Sequence, residues 1–107
     1  LYQVNTPQIA QQVLPVFDSY FSVDLSHIDY ISGTYEAVNN HCDLGPVWGC
    51  TGSWNTHVVV VDVRLEVCTT ITHELLHQAI FHGVEIEHHS DEFFKTIEDF
   101  CRLIERQ

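Results

Sequence analysis

Residues 56–81 read THVVVVDVRLEVCTTITHELLHQAIF, and this stretch decides the fold. Residues 56–63 are mostly β-branched, bounded by turn residues and too short for a membrane helix, so they predict a strand. Asp62 caps or precedes a helix expected over about Leu65–Phe81, with Val67, Ile71, Leu75 and Ala79 as its core stripe. Gly83 is a natural stop. Upstream, Thr6 is read as the cap of a helix with Pro7 in its first position. Ile9, Val13, Val16 and Phe17 then recur at helical spacing, and Pro15 is expected to kink that helix or mark an irregular turn. Tyr20–Asp24 reads as a connection. A short strand is expected over His27–Ile31, turned at Gly33 into a second over Thr34–Val38. Asn39–Asn55 is rich in loop residues.

Downstream, Val84–His89 reads as a loop and Ser90 as the cap of a last helix. Asp91 and Glu92 fall in its first turn, where the helix dipole favours negative charge. Phe93, Phe94, Ile97, Phe100, Cys101 and Ile104 are expected to form its buried face. The order helix, strands, helix, helix predicts a small α+β fold, with residues 1–107 as a single domain.

Composition narrows the function classes. Four basic residues stand against fifteen acidic ones, a net charge of −11 with histidine neutral. Nucleic acid is therefore an unfavourable partner for this domain alone, and so is an anionic membrane surface. No apolar run is long enough to span a membrane, and no basic-then-apolar signal segment opens the chain. The chain begins at Leu1, lacks methionine, and is read as a trimmed or mature form.

Histidine is concentrated. Of eight in the chain, His73, His77, His82, His88 and His89 lie close together. Residues 73–77 read His-Glu-Leu-Leu-His. Four residues at helical pitch return to within about 40° of the start, so His73 and His77 share one helix face about one turn apart. Two imidazoles so placed can take two corners of a tetrahedral zinc, Zn2+, expected at one per chain. Glu74 follows the first ligand directly and can act as general base towards a zinc-activated water. At this composition the pattern arises by chance about 0.04 times per chain, and here it falls on a segment independently read as helical.

A catalytic zinc needs a third protein ligand and keeps one position open. His82 is five residues past His77 and points elsewhere. Gly83 and Ile80 occupy the places where a metzincin would carry its third histidine and its glycine, so that pattern fails. Beyond Gly83 the chain can double back, bringing His88 and His89 towards the site. His89 is preferred over His88, with Glu92 or Asp91 as the remaining option.

ITHELLHQ, a short insert and then HSDEFF resemble the SprT-like zinc metallopeptidase domain. In that family an HExxH helix is followed by a third histidine in an H-G-x-E-F-like element. His89-Ser90-Asp91-Glu92-Phe93 matches it with serine for glycine. WGCTG at Trp48–Gly52, followed by the strand THVVVVDV, also resembles the segment before the family's catalytic helix. The resemblance covers roughly residues 46–94. It implies a compact zincin-like domain, zinc held by His73, His77 and His89, and Glu74 as base. Cleavage of DNA-bound proteins is not carried over, because the chain is acidic and these residues contain no zinc-ribbon extension. A gluzincin-like variant with Glu92 as third ligand uses the same chemistry.

Two details stay open. Val58–Val61 is either an edge strand that pairs with substrate or a buried central strand. Tyr30, Tyr35, His41, His57 and Arg64 are all conceivable donors to an oxyanion. The cysteines lack CxxC spacing. A Cys42–Cys50 bridge would staple the loop-rich segment and favour an extracytoplasmic location, whereas Cys68 and Cys101 are read as buried free thiols. The chain is otherwise expected inside the cell. The leading expectation is a zinc metalloendopeptidase acting on a protein or peptide substrate. A non-catalytic zinc-containing binding module and a hydrolase of non-peptide substrates are the competing readings.

Overall fold

The computed structural model describes residues 1–53 and 56–106. The fold is α+β, with four helices around a mixed four-stranded sheet. β1 (Tyr2–Val4) leads into α1 (Gln8–Phe21), β2 (Asp29–Gly33), α2 (Tyr35–Cys42), β3 (Gly49–Cys50) and β4 (His57–Val61). A 3-10 turn over Asp62–Arg64 precedes α3 (Cys68–Phe81), and α4 (Asp91–Glu105) closes the domain. The sheet order is β1-β2-β4-β3, with β2 and β4 parallel and both outer pairs antiparallel.

The apolar run in β4 reflects burial on both faces. Val58 and Val60 pack into the main core with Tyr30, Phe17 of α1, Ile71 and Leu75 of α3, and Phe100 of α4. Val59 and Val61 face the other way, against Val38 of α2. A strand covered on both sides loses the polar alternation of a half-exposed one. β4 is thus central, between β2 and β3, and the edges are β1 and, beside β4, the two-residue β3. Aromatic contacts fasten the outer helices together: Phe17 and Phe100 meet edge-on with ring centroids 5.4 Å apart.

Several expectations need correction. Thr34–Val38 is not a strand. Thr34 caps α2, its Oγ1 accepting the Ala37 amide at 3.1 Å, and Glu36 sits in the first turn. Thr34, Tyr35 and Val38 favour strands intrinsically, but the cap and the single buried position, Val38, suit a short helix on the second sheet face. β1 carries no local signal in the sequence, because its three residues gain their place only by pairing with β2. Pro7 itself is the cap of α1, one residue later than expected, and α1 continues through the exposed Pro15 without breaking. α3 starts at Cys68, with Val67 as its cap and the 3-10 turn taking up the preceding residues. Ser90 caps α4 as expected, accepting the Phe93 amide at 3.1 Å. Phe94 is 47% exposed rather than buried. Within the loop-rich segment, residues 54 and 55 lie outside the described residues, as does residue 107.

Cys68 and Cys101 are not free thiols. They form a disulfide joining the first turn of α3 to α4, and Cys42–Cys50 forms a second, joining the end of α2 to β3. Both Cys68 and Cys101 are buried, as expected, but α3 and α4 pack so that the two Cα atoms lie 6.0 Å apart, within bridging range. Among the described residues no helix is long and apolar enough to cross a membrane.

The bridges enclose sequence separations of 33 and 8 residues. Loop-closure entropy assigns about 3.7 kcal/mol to the longer and about 2.5 kcal/mol to the shorter. Urea unfolding of Cys68→Ala/Cys101→Ala should therefore show the larger loss of stability, and of Cys42→Ala/Cys50→Ala the smaller. Intact mass without reductant should show four hydrogens fewer than after reduction. Free thiols in the native protein would contradict both expectations.

Candidate metal centre

α3 is buried on most of its circumference, including Thr70, Thr72, Glu74 and Gln78. His73 and His77 form its half-open face, one turn apart, and their rings pack edge-on with centroids 4.8 Å apart. Gly83, at φ 110°, ends this segment in a conformation that L-residues rarely adopt. The chain then returns through a turn in which the Ser90 amide and hydroxyl both donate to Glu87 O, at 3.2 and 2.7 Å. This return delivers His89 opposite His73 and His77.

The three side chains converge through Nε2. His89 Nε2 lies 3.2 Å from His73 Nε2 and 3.0 Å from His77 Nε2. An imidazole nitrogen carries one N–H or one lone pair, so His89 Nε2 cannot satisfy both partners by hydrogen bonding. A cation between the three nitrogens can satisfy all of them. His73, His77 and His89 thus lie close enough to bind a metal ion, each offering a ligand atom within 4.8 Å of the others. His82 turns away, its Nδ1 2.8 Å from Gln78 O. Glu92 and Asp91 are exposed in the first turn of α4 and are not in the cluster. His88 stands behind: its Nδ1 is 2.7 Å from His77 Nδ1, so it can fix the tautomer that leaves His77 Nε2 bare.

The surroundings favour the neutral forms of His73 and His77. The Phe93 ring lies 5.0 Å from that of His73 and 4.8 Å from that of His77. Burial lowers His73 from its ordinary 6.5 to about 4, helped by the neighbouring His89. Burial likewise lowers His77 to about 3, with His73, His89 and His88 adding repulsion. His89 itself is exposed and sits at φ 58°. The left-handed region costs a non-glycine residue about 1–2 kcal/mol. Here that conformation is part of what aims the ring at its two partners.

Glu74 is buried beside the cluster. Its Oε1 is 3.9 Å from His73 Nε2, and its Oε2 has no hydrogen-bond partner among the described residues. Burial pushes the carboxyl from 4.5 to about 8. Gly49 lies alongside, its lack of a side chain required by the close Val59 carbonyl. A side chain there would meet Val59 O at 2.5 Å and Glu74 Cγ at 3.5 Å.

Glu74, His73 and His89 open onto a cleft of about 450 Å³, walled by Val47, Trp48 and Gly49 on the sheet side and Phe94, Ile97 and Glu98 on α4. Phe94 stacks on His89, the rings 5.9 Å apart and 9° from parallel. Phe94 and Phe93 are adjacent and so differ by about 100° around α4. Phe93 is buried in the core, whereas Phe94 turns to the cleft. Of the five proposed oxyanion donors, Arg64 lines the cleft, while Tyr30 is buried in the core. Tyr35, His41 and His57 are not among the cleft's lining residues. Family models, curated proteins and solved structures give no match to this chain.

Two outcomes follow. His89→Asn keeps a residue that tolerates positive φ and removes the ligand. It should lose bound metal by elemental analysis while the metal-free melting temperature holds or rises. A large fall in that temperature would show His89 to be a packing residue instead.

The second concerns pH in chelator. Between about 4 and 6.5 the unfolded histidines hold protons that folded His73 and His77 exclude, so stability rises with pH. Between 4.5 and about 8 folded Glu74 holds a proton that the unfolded chain has released, so its contribution falls with pH. Two histidines outweigh one carboxyl below 6.5, and the carboxyl acts alone above it. Calorimetry should find maximal stability near pH 6.5; a continuing rise from 6.5 to 8 would contradict the buried Glu74.

Proposed function

We propose that this chain is a zinc-dependent metalloendopeptidase of the SprT-like kind, with Glu74 as general base. The observation that carries this reading is the convergence of three histidine Nε2 atoms beside a buried, unpartnered carboxylate at the wall of a cleft. The donor set fits zinc. Bonds of about 2.0–2.1 Å at tetrahedral angles place ligand atoms about 3.3–3.4 Å apart, and the separations here are 3.2 and 3.0 Å. Three neutral imidazoles also leave a fourth position open. When bound, zinc supplies Lewis acidity and makes water nucleophilic near neutral pH.

The chain's own residues supply the rest. Glu74 Oε2, with no described partner to displace, accepts the proton of the attacking water and returns it to the leaving amine nitrogen. His88 Nδ1, against His77 Nδ1, orients that ring. An extended peptide lies along the edge strand β3, whose Gly49 lines the cleft, rather than along the central β4. The two disulfides suit an oxidising compartment, and we place the protein there rather than in the cytosol.

Glu74→Gln should retain about one zinc per chain and lose at least about 100-fold in kcat on a peptide library. His89→Ala should lose the zinc. Cleavage retained by Glu74→Gln would overturn the mechanism. Zinc retained with no cleavage by the wild type would favour a non-catalytic binding module.

A further inference from the structure

The chain has four basic residues, and three of them are accounted for at the surface of α4. Lys95 pairs with Asp99 at 3.0 Å, Arg102 approaches the same carboxylate at 3.7 Å, and Arg106 is the exposed C-cap. Arg64 is different. It follows β4 in the 3-10 turn and lines the cleft that holds His73 and Glu74.

Its guanidinium is held from two sides. Nε donates to Thr70 Oγ1 of α3 at 3.1 Å. The guanidinium carbon stands 4.9 Å from the centre of the Trp48 ring. That ring is itself braced: Tyr35 of α2 packs edge-on at 5.5 Å, and Trp48 O accepts the Val61 amide at 2.9 Å. Nη1 and Nη2, by contrast, have no hydrogen bond or ion pair with any described residue. In a chain with fifteen acidic groups, a fixed arginine that no described carboxylate neutralises is a preorganised fork.

We propose that Arg64 is the specificity-determining residue of this cleft and binds a carboxylate of a peptide substrate, from its C-terminus or from an aspartate or glutamate side chain. The proposal rests on the metallopeptidase reading of the same site. The apolar walls at Val47, Phe94 and Ile97 accept apolar side chains beside that carboxylate. Glu98 on the α4 wall and the net charge of −11 reject a second negative group. The substrate is therefore a mostly neutral or cationic peptide with one carboxylate directed at Arg64, not an acidic tract. Trp48 and Thr70 are positioning residues: they hold the fork and do not touch the reacting atoms.

The test uses four dye-labelled peptides of one apolar sequence: free-acid and amidated C-termini, and internal Glu and Gln with the amidated terminus. Binding to the zinc-loaded full chain is followed by anisotropy with Glu74→Gln, and hydrolysis with otherwise unaltered protein. One carboxylate peptide should bind about 10- to 100-fold more tightly than its amide partner. The pair that shows the difference identifies the source of the carboxylate. In hydrolysis the preference should appear in KM rather than kcat, whereas with an oxyanion role for Arg64 the Arg64→Ala variant would lose kcat on all four peptides alike. Arg64→Ala should abolish the preference. Arg64→Lys, which keeps the charge and loses the fork, should retain a fraction of it and serves if the alanine variant misfolds. Equal binding within both pairs, no binding of any peptide, or a preference that survives in Arg64→Ala would overturn the proposal. Selective binding without hydrolysis would leave Arg64 its role and remove the peptidase reading alone.

Discussion

The constraint on which the rest of this structure depends is the burial of α3. The helix packs against β4 through Ile71 and Leu75, against α1 and α4 around the same core, and is bonded covalently to α4 at Cys68. Little of its surface remains open, and that opening is occupied by His73 and His77. Such a helix cannot rotate to relieve its polar groups. Gln78 is held by Thr51 Oγ1 at 2.6 Å and Gly52 O at 3.0 Å, which ties the segment after β3 to the helix. Glu74 lies on a buried side with its Oε2 unmatched. The chemistry of the site and the packing of the core are therefore one arrangement.

The parts of the fold that follow local rules were legible in the sequence. The run of valines in β4, the HExxH helix, the Gly83 stop and the Ser90 cap each carry a short-range signal. Within the candidate site, His73 and His77 follow from helical spacing, while the return of the chain after Gly83 leaves His88 and His89 both in reach and only the family resemblance singles out His89. What stayed hidden depends on partners distant in sequence. β1 exists only against β2, and the Cys68–Cys101 bridge needs the α3–α4 packing. At Tyr35 an intrinsic preference for strands is overridden by the Thr34 cap. The Arg64–Trp48 pair joins residues sixteen apart across β3 and β4, and no periodicity announces it.

The same features that suit the site to a metal make the metal-free domain weaker. A buried carboxyl raised from 4.5 to about 8 costs on the order of 3 kcal/mol at pH 7. The left-handed backbone at His89 adds about 1–2 kcal/mol. Against a typical domain stability of about 5–15 kcal/mol, these are large terms for a chain of 107 residues. The two disulfides offset them by acting on the unfolded chain, and they do so without filling the site. One spans α3 and α4, the two helices that frame the histidine cluster, and the other fastens β3, which carries Gly49 beside Glu74. Covalent cross-links thus sit where the fold must tolerate a buried, unpartnered carboxyl and strained backbone, so the site's geometry can persist without a bound ion.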